Sequence, residues 1–133
     1  MSFNIKNESL KTPYTIKPAL NVFFKIMADW NLNTEQSMTL LGIDSKSTYF
    51  KWKRDPESSR LDKDKIDRLS YVFGIYKALQ ILLPNHESAD SWIKKENSAS
   101  PFNGKSALDR MLSGHIIDLH AVREYLDSQR GWS

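Results

Sequence analysis

The chain has 133 residues, 26% charged and 40% hydrophobic, with a formal net charge of +3 and no cysteine. That length suits one compact domain, or two small helical subdomains sharing a core, and excludes a string of independent domains. Without Cys there is no disulfide framework, no thiolate nucleophile and no Cys-ligated zinc, which fits a reducing cytosol.

The apolar stretches are broken by Lys, Gln or Asp before they reach the roughly 18 to 20 residues of a membrane span. The opening MSFNIKNESLKTPYTIK lacks the apolar core and small-residue cleavage site of a signal peptide, so the expected location is the bacterial cytoplasm, with no membrane partner. Charge is uneven along the chain. Residues 1 to 84 hold 13 Lys and Arg against 9 Asp and Glu, net +4, whereas residues 85 to 133 hold 6 against 7, net −1. Ser45 to Arg54 contains four basic residues and no acid, a footprint that suits a phosphate backbone or a solvated helix face.

In chain order, residues 1–18 contain Pro13 and Pro18 and no sustained period, and predict an extended arm. Leu20, Phe23, Phe24, Met27 and Trp30 recur at helical spacing and predict a first helix over Ala19 to Trp30. Asn33 or Thr34 can cap a second helix that carries Met38, Leu40 and Leu41 and stops at Gly42. Asp44 or Ser45 can then cap a third helix through Lys53, anchored by Tyr49, Phe50 and Trp52. Two short helices joined by a Gly-containing turn, the second basic and rich in Ser and Thr, form the helix-turn-helix pattern. On its exposed face Ser45, Lys46, Ser47, Thr48 and Lys51 are the candidate base readers, while Gln36, Lys53 and Arg54 suit phosphates. Tyr49 suits either DNA contact or packing under the turn, and Phe50 and Trp52 are assigned to the core.

RDPESSR, with Pro56, predicts a loop. Asp62 to Leu83 predicts a long helix, with Ile66, Leu69, Val72, Phe73, Tyr76, Leu79, Ile81 and Leu82 in a broad stripe until Pro84. Gly74 costs that helix about 1 kcal/mol against Ala, and its absent side chain either admits a crossing helix or is an accident of sequence. Glu87 to Lys95 predicts a short helix anchored by Trp92 and Ile93. After the turn-forming PFNG, Ser106 caps SALDRML and Gly114 ends it; Asp118 then opens a last helix carrying Leu119, Val122, Tyr125 and Leu126. No strand pattern occurs, so the expected fold is all-α.

No nucleophile with a base, carboxylate pair, phosphate-cradling glycine loop or metal spacing is present, so no catalytic residue, metal or cofactor is expected. His115 and His120 are five apart, which does not align them on one helical face.

From about residue 60 onward the order of elements resembles the toxin-binding domain of Xre/MbcA/ParS-type antitoxins. The matching residues are Phe102, Asn103, Gly104, Ser106, Ala107, Leu108, Asp109, Gly114, Asp118, Leu119, Val122, Tyr125, Leu126 and the closing Arg130, Gly131 and Trp132. The upstream helices fit the Xre-like helix-turn-helix that many members carry. The resemblance implies an N-terminal helix-turn-helix subdomain packed through a long helix onto a small toxin-binding domain. The corresponding divisions are an arm over 1–18, DNA-binding domain over 19–60, connecting helix over 61–84 and toxin-binding domain over 85–133. It also implies a non-enzymatic antitoxin that plugs the cleft of a RES-type, NAD-consuming toxin, represses its own operon at operator DNA, and works as a homodimer or, with toxin, a larger assembly. No small-molecule substrate is implied. By the same resemblance Phe102, Asn103, Gly104, Arg123, Tyr125, Arg130, Gly131 and Trp132 become toxin contacts. On the residues alone, Trp132 could equally fold back on its own core. Family ends often read Arg-Gly-Gly-aromatic, and here a single Gly separates Arg130 from Trp132. The rival reading is a free-standing helix-turn-helix regulator whose last domain serves dimerisation or effector sensing.

Overall fold

The computed structural model describes residues 13–131, with side chains from residue 16. The described residues form seven α-helices and no strand: α1 (Pro13–Asp29), α2 (Thr34–Leu41), α3 (Lys46–Arg54), α4 (Lys63–Leu82), α5 (His86–Ser91), α6 (Ala107–Met111) and α7 (Ile116–Gln129). Short 3-10 turns follow α3 at Pro56–Ser58 and α5 at Trp92–Lys94. None of these helices is long and apolar enough to cross a membrane. The expected all-α fold is the observed one.

The chain divides into two compact units, Met1–Ser70 and Tyr71–Ser133, and the division falls inside α4. In the first unit α1 buries Leu20, Phe23, Ile26 and Met27 on one side, Trp30 just after it is buried too, and Leu40, Leu41, Ile66 and Leu69 complete that core. In the second unit Val72, Phe73, Ile75 and Leu79 are buried, with Ile93, Met111, Leu119, Val122 and Leu126 from later elements.

Local chemistry sets most helix ends. Asn33 and Gln36 form a reciprocal capping box at the start of α2, with Asn33 Oδ1 accepting from the Gln36 N–H at 2.8 Å and Gln36 Oε1 accepting from the Asn33 N–H at 2.9 Å. Asp62 Oδ1 accepts the Lys65 N–H at 3.0 Å, Asn85 caps α5, and Ser106 with Asp109 forms a second capping box at α6. The Lys65 N–H bond holds the Asp62 carboxyl below its ordinary range.

Two expectations change here. Residues 1–12 of the expected arm lie outside the described residues, and from Pro13 the chain is helical rather than extended. Pro18 sits near the start of α1, where its missing N–H forfeits one hydrogen bond, while the apolar period that follows carries the rest of the helix. Ile81, assigned to the buried stripe of α4, is exposed, because it lies off the arc that buries Ala78 and Leu79.

Candidate functional site

The first candidate surface is built on α2, the turn Gly42–Ser45 and α3. Gly42 takes φ +81°, the left-handed conformation that ends α2, and its N–H bonds back to the Met38 and Thr39 carbonyls. The bare Gly42 backbone leaves room for the Arg68 side chain of α4, whose Nε would lie 2.9 Å from an added Cβ. Arg68 Nε donates to Asp64 Oδ2 at 2.9 Å and Nη1 to the Thr39 carbonyl at 3.4 Å, so a guanidinium sits at the negative end of α2. Arg68 therefore braces the turn from below. It is a supporting residue that sequence reasoning missed, because the pairing spans 29 positions.

Ser45 is the N-cap of α3: its Oγ accepts the Thr48 N–H at 3.3 Å and pairs with Ser47 Oγ at 3.0 Å. That hydroxyl oxygen holds the helix start, so Ser45 acts as a cap and has only its own proton left to offer a base. Gln36 spends its amide oxygen in the α2 cap. Tyr49 is 3% exposed and packs edge-on against Phe24 at 5.5 Å, so of its two readings the structure takes the packed one. Burial pushes its phenol pKa up, against a hydrogen bond with Ser37 that lowers it. Trp52 is buried as expected, but Phe50 is 43% exposed and leaves the core assignment. Adjacent helical residues point about 100° apart, so the phase that buries Tyr49 and Trp52 turns Phe50 outward.

What remains on the outer face is Lys46, Ser47, Phe50, Lys51 and Arg54, all exposed, at i, i+1, i+4, i+5 and i+8 of one helix. Thr48 is half-buried beside it, and Lys53 places its ammonium 5.8 Å from the Phe24 ring centre. Lys46 Nζ pairs with Glu35 Oε1 of α2 at 2.8 Å. The hydrogen bond between them lowers the Glu35 pKa and raises that of Lys46.

The second candidate surface lies in the other unit, around PFNG. Residues 97–105 form a closed loop: Asn97 N–H donates to the Lys105 carbonyl at 3.0 Å, and Gly104 N–H donates to the Asn97 carbonyl at 2.7 Å. Arg110 Nη1 donates to the Pro101 carbonyl at 2.9 Å while its Nε reaches Asp118 Oδ1 at 2.9 Å, tying loop, α6 and α7 together. Ser113 Oγ also donates to Asp118 at 2.6 Å, and this bond, followed by Arg110, holds the Asp118 carboxyl below its ordinary range. Asn103 and Gly104 form the exposed tip, both with positive φ. Beside them Pro101, Phe102, Lys105, Asp109 and Arg110 line a cleft of about 310 Å³.

Phe102 itself is 3% exposed, which corrects its assignment as a contact. It packs edge-on against Tyr125 at 5.0 Å and Trp92 at 5.8 Å, and Trp92 stacks on Tyr125 at 6.2 Å. Phe102 thus shapes this surface from within, while Tyr125 is half-buried beside it. Arg123 is also engaged: its Nε reaches Asp127 Oδ2 at 3.1 Å, and its guanidinium lies where a Cβ on Gly74 would stand. The glycine in α4 admits a side chain of α7 rather than a helix backbone. Arg130 comes within 3.9 Å of Asp127, Gly131 ends α7 with φ +82°, and Trp132 lies outside the described residues. A further apolar groove of about 220 Å³, lined by Leu79, Leu82, Leu83, Trp92, Tyr125, Leu126 and Gln129, opens beside the end of α7. Among the described residues no three His, Asp or Glu side chains gather as a metal needs.

The sequence matches two family descriptions. Residues 18–74 match the antitoxin Xre-like helix-turn-helix domain, and residues 78–131 match the antitoxin Xre/MbcA/ParS C-terminal toxin-binding domain. The chain belongs to the Xre-type antitoxins. This antitoxin is also 45% identical over 112 residues to the uncharacterized protein y4oB of Sinorhizobium fredii (strain NBRC 101917 / NGR234), covering 84% of each chain. No solved structure matches it significantly. The two matched families imply DNA and a toxin as the antitoxin's partners, and families of this kind are generally non-enzymatic. The α3 face falls within the helix-turn-helix match. The aromatic cluster, the PFNG loop and the apolar groove fall within the toxin-binding match. The groove was not visible in the sequence, since its walls come from α4, the Trp92–Lys94 turn and α7.

Proposed function

We propose that this antitoxin neutralises a RES-type, NAD-degrading toxin by covering its active site, and represses its own operon by binding operator DNA as a homodimer in the bacterial cytoplasm. The observation that carries the reading is the presence in one chain of a helix-turn-helix with a cationic outer face and a toxin-binding domain with a separate surface of its own. The resemblance of residues 102–132 to the family's toxin-binding domain supports the RES class of toxin. Lys46, Ser47, Thr48 and Lys51 face the bases, with Lys53, Arg54 and the Gln36 amide on phosphates. A single module makes few phosphate contacts, and two-fold pairing on two half-sites supplies the rest. On the toxin side the contacts are Asn103, Gly104, Arg130, Gly131 and Trp132, with Phe102, Arg123 and Tyr125 holding the surface in shape.

The test is co-expression and pull-down with the product of the adjacent gene, followed by an NAD-consumption assay on that product with and without the antitoxin. A stable complex with suppressed NAD loss is the expected result. A complex whose toxin never consumes NAD removes the RES assignment while leaving an antitoxin. Deleting Trp132 and Ser133 should weaken neutralisation and spare DNA binding; unchanged protection eliminates the plug.

A further inference from the structure

Phe50 stands at the centre of the exposed face of α3. Lys46 and Ser47 lie one turn before it, Lys51 beside it and Arg54 one turn after. Its ring is held in place, because Phe23, Phe24, Tyr49 and Phe50 form a ladder of edge-on pairs at 5.5, 5.5 and 5.4 Å that ties the exposed ring to buried Tyr49 and Phe23. An aromatic ring anchored at its inner side and exposed at its outer side favours whatever apolar surface can cover it. The flanking cations narrow the choice, since any partner covering the ring must also accept Lys46, Lys51 and Arg54, as a phosphate backbone does. In the major groove the apolar group displayed by base pairs is the C5-methyl of thymine.

We infer that Phe50 is a specificity-determining residue that packs against a thymine methyl in the operator, between the base-facing Lys46 and Lys51 and with Arg54 on the backbone. The inference rests on the DNA-binding reading above and adds to it which base the module selects. It requires no hydrogen bond from the ring, so selectivity comes from the methyl group alone.

The experiment uses the full-length antitoxin and the DNA segment immediately upstream of its gene, with each thymine replaced singly by uracil, which deletes the methyl and leaves pairing intact. Wild type should weaken about fourfold at one position per half-site, the effect of losing one buried methyl-sized contact. Phe50→Ala should bind the natural segment correspondingly more weakly and lose its sensitivity to uracil at that position. Equal sensitivity in both proteins, or none in wild type, overturns the role of Phe50 and leaves DNA binding standing. A wild-type protein with no salt-dependent binding to the segment removes the DNA reading itself and this inference with it. A shift of Phe50→Ala to a smaller assembly in sedimentation also overturns it, by assigning the ring to a contact between copies of the chain.

Discussion

The two units carry their working surfaces in opposite ways. The face of α3 is written on a single helix, with its charges exposed and its geometry fixed by local caps at Asn33 and Ser45 and by the turn at Gly42. The surface around Asn103 and Gly104 is assembled from distant segments, with Phe102 packed edge-on against the stacked pair Trp92 and Tyr125 and Arg110 tying its loop to α7. A surface on one helix changes residue by residue. One resting on a shared aromatic cluster is lost as a whole when a member is removed.

The sharpest way to break that contrast is Phe102→Ala, which empties a buried aromatic site and should cost about 3–5 kcal/mol of stability. Urea unfolding should show the loss, and toxin capture should fall with it; full capture by the variant would mean the surface does not rest on the cluster. Next in size, Lys53→Ala with Arg54→Ala should leave folding intact and flatten the log-log salt dependence of DNA binding by about two, one for each lost phosphate contact. An unchanged slope would move the DNA face elsewhere.

Gly42→Ala places a side chain at a left-handed position and against Arg68, and should cost about 1–2 kcal/mol, read as a lower midpoint of denaturation. A smaller change comes from Asp118. Its carboxyl pKa is lowered on folding, so its contribution is complete above the ordinary value of about 3.9 and is lost as pH falls through the folded value. Asp118→Asn should therefore lose stability at neutral pH and show a shallower acid limb, and an identical acid limb would refute the linkage. Smallest is Glu35→Gln, which frees Lys46 at a fully exposed site. Stability should hold, while DNA affinity at low salt rises and the salt slope steepens.

Much of the first unit is legible in sequence because its signals are local. Asn33, Gly42 and Ser45 act on backbone groups within a few positions, so the helix ends and the turn follow from composition alone. The adjacent pair Tyr49 and Phe50 is where that reading fails. Both are aromatic, and which one enters the core depends on the angle at which α3 meets Phe24 of α1. In the second unit Ser106 caps α6 as expected, but α6 ends at Met111, three residues before Gly114. The PFNG motif identifies a turn, and only packing against Trp92 and Tyr125 shows that its Phe is buried and its Asn-Gly displayed.

By itself the sequence determined the all-α class, the order of the helices, the basic character of α3 and the antitoxin resemblance, since these depend on periodicity, capping and charge within short windows. Only the tertiary structure decided that Arg68 braces the α2–α3 turn, that Arg123 fills the space over Gly74, that Phe102 is support and that Phe50 faces outward. Each of those rests on a contact between residues distant in the chain or on the rotation of a helix about its axis, and neither is encoded in local spacing.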